Sequence, residues 1–277
     1  MDRSSALSFG RNVVAVSRER QLSVKSAGLA YHAFNTLVPF VILLLVAVTA
    51  VDAIETALET LEADLGLEAT AALASLEAVT GDGAGDRLRA AVIALVVFLW
   101  STGRMFQATN SAFTGVYGSR KHQTLPGSIV NTSLITVTVL LAVALVGTIG
   151  VALSVVVDGT WWALLSPFVL FGLLVVAFFP TYYLFPEADV TAREVLPGTV
   201  FAAVTWTILA IGFRFYVVTA DSVALFGIAG AVLLLLTWVY LGALCVLVGV
   251  VGNAVLAGRV DADGEWVPMD GLWTRYV

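Results

Sequence analysis

Seven residues in the first two long apolar runs of the sequence could support chemistry inside a membrane. Polar side chains are costly in lipid, so each is expected to face protein or water. Tyr31 and Asn35 are four residues apart and share a helical face, and Pro39, four residues further on, frees a backbone carbonyl. We predict that one polar cavity collects these candidates: Tyr31, His32, Asn35, Pro39, Arg104, Gln107 and Asn110.

Arg104 has the most distinctive chemistry of the set, because no Asp or Glu lies within any apolar run to neutralise it. On a helix that begins near residue 90, it lies about 21 Å from that end, past the middle of a bilayer. Its guanidinium can bind an anion bidentately, satisfy carbonyls freed near Pro39, or reach the headgroups. A dry packing seam, in which the polar groups bond to one another, is the alternative for the whole set.

Enzyme motifs are missing from the sequence. It has no Gly-rich phosphate loop ending in Lys-Ser/Thr, no His-Glu-x-x-His, no Gly-x-Ser-x-Gly and no Cys-x-x-Cys. The two histidines, His32 and His122, lie in different segments, and Cys245 stands alone in an apolar run. We therefore expect no metal, no cofactor and no catalytic residue, and we interpret Cys245 as a small core residue.

The elements that position these residues are membrane-spanning helices. Of the 277 residues, 59% are hydrophobic and only 12% charged, about half the charged fraction of a soluble domain. A helix needs about 20 mostly apolar residues to cross the hydrocarbon core. On that basis the sequence predicts an all-α, polytopic bundle of about six spans, at 28–51, 90–112, 129–157, 162–185, 197–219 and 226–256.

Charge placement predicts the orientation of this bundle. Five basic residues precede the first span, whereas nine acidic residues lie between Asp52 and Arg89. Since cytoplasmic segments are rich in Lys and Arg, both termini are predicted inside the cell. The predicted domains are a basic N-terminal segment (1–26), a six-span domain (27–257) with an acidic external segment (52–89), and a cytoplasmic tail (258–277). The acidic, lysine-poor composition also suggests a halophilic source, with a GC-rich genome, which favours Arg, Ala, Gly and Val, as the alternative.

Three further patterns concern packing. Pro126 and Pro197, each in a Leu-Pro-Gly run, are interpreted as helix starts, with relics of an internal repeat as the alternative. The 31 residues of 226–256 are interpreted as a single span, because no turn or charge interrupts the chain from Leu233 to Val251. Small residues along that span favour close helix packing, at Gly242, Cys245, Gly249 and Gly252.

Several of these motifs resemble the YihY/BrkB family of membrane proteins. The similarity begins with the run 27–39 and continues with 100–104, Asn110 and Tyr117. Its last part consists of 196–198, Trp206, 215–216, 226–231 and 236–241. The sequence departs from the family at His32, where another Tyr is usual, at Asn35 and Val38, and in its acidic external segment.

The resemblance implies a six-span bundle in the cell membrane, without a settled biochemical activity. Some members carry the label ribonuclease BN, but this sequence has neither a basic, aromatic groove for RNA nor a set of metal ligands. We expect no nucleic acid partner. The leading hypothesis is transport or permeation of a small or lipid-like solute, such as an anionic ligand for Arg104. The alternatives are a non-catalytic scaffold or envelope-integrity factor and, more distantly, a membrane-embedded enzyme.

Overall fold

The computed structural model describes residues 3–49, 84–117, 159–186, 190–219 and 222–260. Every regular element in these ranges is an α-helix. In chain order they are α1 (Arg3–Glu19), α2 (Leu22–Thr49), α3 (Ala84–Tyr117), α4 (Gly159–Leu184), α5 (Ala192–Thr219) and α6 (Ser222–Leu256).

Five of these helices, α2 to α6, contain stretches long and apolar enough to cross a membrane, of 22, 33, 20, 25 and 28 residues. Each stretch meets the length of about 20 residues that the hydrocarbon core requires. The predicted all-α, polytopic membrane fold is confirmed. The predicted third span (129–157) and the acidic segment up to residue 83 lie outside the described residues.

Two helix predictions concern prolines and helix length in the second half of the chain. The single span predicted at 226–256 is confirmed, because α6 continues without interruption from Ser222 to Leu256. The prediction that Pro197 starts a helix is wrong, because α5 begins at Ala192 and contains Pro197 in its interior. Thr191 caps α5 instead, where its hydroxyl oxygen accepts a hydrogen bond from the backbone N–H of Glu194 at 3.3 Å.

The chain divides into two compact units, one of Met1–Ala30 with Ala108–Val277 and the other of Tyr31–Gln107. In the first unit, five helix ends meet at what we call the common end. The Lys25 ammonium at the start of α2 lies against Gly115 near the end of α3. Phe113 of α3 contacts Tyr182 near the end of α4, with ring centroids 5.6 Å apart.

The starts and ends of the last two helices complete the common end. Glu194 in the first turn of α5 forms an ion pair with Arg259, which follows α6, with Arg259 Nη2 3.0 Å from Glu194 Oε2. Helices α3, α4 and α6 therefore end where α2 and α5 begin.

Helix α1 belongs to the same unit and packs against α6. It ends in a tight turn at Gln21, whose backbone is left-handed with φ at 51°, and α2 begins at the next residue. Val16 of α1 and Leu22 of α2 are almost completely buried. The turn thus fixes α1 beside the common end.

Candidate functional site

Helices α2 and α3 supply the residues predicted to form a polar cavity. In the second unit the rings of Phe40 and Phe98 are in contact, with centroids 5.9 Å apart. This aromatic contact joins the two helices within the second unit.

The predicted polar residues of the unit lie at similar distances from this contact, each measured along its own helix. With a rise of about 1.5 Å per residue, Asn35 lies about 8 Å from the contact along α2, and Arg104 lies about 9 Å from it along α3. On the same scale Tyr31 and Gln107 each lie about 14 Å from it. His32 lies between Asn35 and Tyr31. We call the five residues that lie about 8–14 Å from the aromatic contact the polar level: Tyr31, His32, Asn35, Arg104 and Gln107.

The exposed face of α3 changes character along its length. Ile93, Val97 and Trp100 are exposed on it, and Trp100 is 66% exposed. Arg104 and Gln107 continue the same face and are exposed as well. An apolar stripe about 10 Å long is therefore followed directly by a cationic and a polar side chain.

Other members of the candidate set have different surroundings. Tyr31 on α2 is 60% exposed, whereas Pro39 is buried and α2 runs through it without a break. His32 contributes its backbone carbonyl, which accepts a hydrogen bond of 2.9 Å from the Thr36 hydroxyl. Its ring contacts that of Tyr31 edge-on at 5.5 Å.

Asn110 belongs to the first unit, and its carbonyl accepts a hydrogen bond of 2.7 Å from the Thr114 hydroxyl. Among the described residues, no carboxylate forms an ion pair with Arg104. The gathering of all seven residues around one cavity stays a prediction.

A second polar arrangement, which sequence reasoning missed, joins α5 to α6. Asn253 is fully buried, and its Oδ1 accepts a hydrogen bond of 2.6 Å from the backbone N–H of Gly198. Its Nδ2 donates to the carbonyl of Val195 at 2.9 Å. One amide side chain of α6 therefore binds both a donor and an acceptor of the α5 backbone, on either side of Pro197. A lone Asn in an apolar run was the available signal.

Two aromatic side chains make similar bonds to the α6 backbone. The Tyr182 hydroxyl of α4 donates to the carbonyl of Val246 at 2.6 Å. The Trp206 indole N–H of α5 donates to the carbonyl of Gly242 at 2.9 Å. We call Tyr182, Trp206 and Asn253 with their backbone partners the backbone clamp. In this way each buried polar group of the clamp is paired inside the membrane.

The predicted small-residue stripe of α6 faces this clamp. Gly249 packs so closely that an added Cβ would lie 2.7 Å from the carbonyl oxygen of Gly198 and closer still to the Tyr182 hydroxyl. Gly242 similarly packs against the Trp206 ring. Cys245 is partly buried. The prediction that this face admits close helix packing is confirmed at both glycines.

A small crevice lies where α1 meets α5 and α6. Its volume is about 150 Å³, and its walls include Phe9, Val13, Pro197, Phe201, Val248 and Gly252. The lining is almost entirely apolar. Sites that enclose small ligands have volumes of about 300–1,000 Å³, so we interpret the crevice as a gap in packing. None of the seven predicted residues lines it.

In the described part of the chain, no three His, Cys, Asp or Glu side chains come together as they would in a metal site. The side chains of the polar level on α2 and α3 offer ionic and hydrogen-bonding groups.

Comparisons with known proteins agree with this architecture. The family model described as Virulence factor BrkB matches residues 13–270. A Bacillus subtilis (strain 168) protein, YfkH, whose name describes it as ribonuclease-like, is 28% identical over 268 residues. That match covers 87% of this chain and 92% of YfkH. No solved structure matches the chain.

Proposed function

Because the chain belongs to the BrkB family of membrane proteins, and because it carries an anion-binding side chain beside an apolar stripe, we propose that it transports a lipid-like anionic solute across the cell membrane. The solute's anionic group binds Arg104 at the polar level, and its apolar part lies along Ile93, Val97 and Trp100. No catalytic step is involved.

The observation that carries the proposal is the exposed position of Arg104. A charged side chain within the hydrocarbon core is costly, by up to about 2.5–3.5 kcal/mol at the centre of a membrane helix on insertion scales, so we infer a compensating role for the residue. None of the six remaining candidates has a carboxylate that could offset its charge. An anionic headgroup supplies the compensating negative charge. Two of its oxygen atoms can bind a guanidinium bidentately, which suits arginine better than lysine.

The depth of the polar level fits the same solute. Arg104 lies 15 residues, or about 22 Å, beyond Arg89 on α3, near the inner side of a hydrocarbon core about 30 Å thick. A headgroup bound there starts its crossing close to the inner leaflet, while its chains remain against apolar side chains. Tyr31 and Gln107 add neutral hydrogen-bonding groups at a neighbouring depth.

Flux of a fluorescent phospholipid through proteoliposomes tests the proposal. We expect full-length protein to accelerate the exchange of labelled phosphatidylglycerol between leaflets, measured by dithionite quenching, more than that of labelled phosphatidylcholine. Arg104→Lys should slow this exchange, and Arg104→Gln should abolish it, without loss of thermal stability in detergent. Arg214→Gln is the matched control, because Arg214 is an exposed arginine near the other end of a span and should leave the exchange unchanged.

Absence of any exchange by folded protein with either lipid would contradict transport of a lipid-like solute. If Arg104→Gln lowered stability and Arg104→Lys restored it, with no flux in either case, the scaffold alternative would be supported instead. Equal activity of wild type and Arg104→Gln would exclude Arg104 as the anion-binding residue.

A further inference from the structure

Helix α1 has three chemically distinct faces. Phe9, Val13 and Val16 lie within about 60° of one another around its axis, and they face the crevice or are buried. A second face, which we call the apolar-basic face, comprises Leu7, Arg11, Val14 and Arg18. A third, polar face comprises Ser8, Asn12 and Glu19.

The apolar-basic face is exposed although half of it is hydrophobic. Leu7 is 71% exposed and Val14 is 53% exposed, and Arg11 and Arg18 are exposed beside them. Contact with water is unfavourable for the two aliphatic side chains. A surface that accepts both aliphatic groups and guanidinium groups fits them better.

The position of α1 specifies which surface this is. Two residues separate the end of this helix from the membrane span that begins at Leu22, and the helix packs against the last part of α6. It therefore lies at the boundary between the apolar spans and water. Helices with one apolar face and basic side chains bind there, with the aliphatic groups in the acyl region and the arginines at the lipid phosphates.

We propose that the apolar-basic face of α1 docks on anionic phospholipid headgroups of the bilayer in which the protein is embedded. Leu7 and Val14 enter the acyl boundary, Arg11 and Arg18 bind headgroup phosphates, and the polar face stays in water. Charge complementarity selects this occupant, because the face carries two cations and no carboxylate, as an anionic leaflet requires. The inference is independent of the transport role proposed for Arg104.

Depth measurements by spin labelling test the docking. In full-length protein with Cys245→Ala, single cysteines replace Leu7 and Val14, and matched control cysteines replace Ser8 and Glu19 on the polar face. The protein is placed in nanodiscs of phosphatidylcholine with phosphatidylglycerol. We expect labels at 7 and 14 to be accessible to oxygen and shielded from a water-soluble nickel chelate, and labels at 8 and 19 to show the reverse.

Equal exposure of all four labels to the nickel chelate would overturn the docking. So would shielding of the labels at 7 and 14 from both reagents together with spin–spin broadening, since that result would indicate a second copy on this face.

The headgroup preference has its own test. Adding phosphatidylglycerol to phosphatidylcholine nanodiscs should raise the Tm of wild type, and the double variant Arg11→Gln/Arg18→Gln should lose most of that rise. Arg214→Gln, at the far end of α5, should keep it. A rise of equal size in the double variant would refute binding of anionic headgroups by these two arginines, even if the aliphatic side chains proved to be in lipid.

Discussion

Asn253 shows how one side chain can bond to the backbone of a neighbouring membrane helix on either side of a proline. Pro197 lacks a backbone N–H, and the α5 backbone around it offers polar groups that lipid cannot satisfy. Asn253 bonds to the N–H of Gly198 and the carbonyl of Val195. The carboxamide is suited to this because it is both donor and acceptor.

Replacing Asn253 by Ala should destabilise the protein by about 1–3 kcal/mol, because two hydrogen bonds inside the bundle are lost. Unfolding in mixed micelles with increasing denaturing detergent measures the change. Thr237→Ala is the control: the Thr237 hydroxyl bonds only within its own helix, to the carbonyl of Leu233, and its loss should have little effect. Equal stability of the two variants would show that Asn253 does not hold α5.

The positions and contacts of individual side chains were the least predictable from the sequence. The polar character of Tyr31, Asn35, Arg104 and Gln107 can be read from the sequence, but where their two helices meet is shown only by the contact between Phe40 and Phe98. That contact joins residues far apart in the chain, and periodicity within one helix carries no information about it. The contacts of Asn253 were not predictable for a related reason. Its partners are backbone atoms, and residue types do not show which backbone atoms a side chain will bind.

At the scale of elements, helix boundaries depend on capping as much as on hydropathy. The pattern Thr191-x-x-Glu194 has the form of a capping box, and it marks the true start of α5. Hydropathy alone favoured a start at Pro197. The extra turn is polar because it lies at the common end, where Glu194 pairs with Arg259. The apolar cores of α2 to α6 were predictable because lipid imposes a minimum length on them.

The contact between α5 and α6 predicts opposite outcomes for two neighbouring glycines. Gly249→Ala should destabilise the protein by about 1–3 kcal/mol, because its Cβ would press on the backbone of α5. Gly252→Ala, one turn further along α6, meets nothing within 4 Å and should be neutral or slightly stabilising through helix propensity. Thermal unfolding of both variants in detergent decides this. Similar losses of thermal stability in the two variants would contradict this explanation. Helix propensity or filling of the crevice would then determine the effect at both positions.

At the scale of the whole molecule, the meeting of five helix ends constrains topology. Helices α3 and α4 both end at the common end, so we expect one crossing of the membrane between them in the chain. The predicted span at 129–157 would make that crossing. Hydropathy predicts how many spans there are, whereas the pairing of their ends requires tertiary contacts such as that of Phe113 with Tyr182. The halophilic source stays a prediction from composition alone.

This topology is testable by cysteine labelling in intact cells. With Cys245→Ala, we expect a cysteine at His122 to react with an impermeant maleimide only after the cells are opened. A cysteine at Asp158 should react from outside. Tags at both termini should be protected from external protease, as the basic N-terminal segment predicts. Labelling of both cysteines from the same side would contradict a single crossing between α3 and α4.

The backbone clamp also has a consequence for biosynthesis. Gly198 and Asn253 are 55 residues apart, so at about 5–20 residues per second the ribosome takes about 3–11 s to add the second after the first. Throughout that interval α5 has polar backbone groups without their final partner. We expect the fifth span to remain beside the insertion machinery, or to be recognised by membrane proteases, until α6 arrives. Variants of Asn253 should therefore reduce the amount of protein in cells. This reduction should be larger than the loss of stability measured on the purified protein would explain.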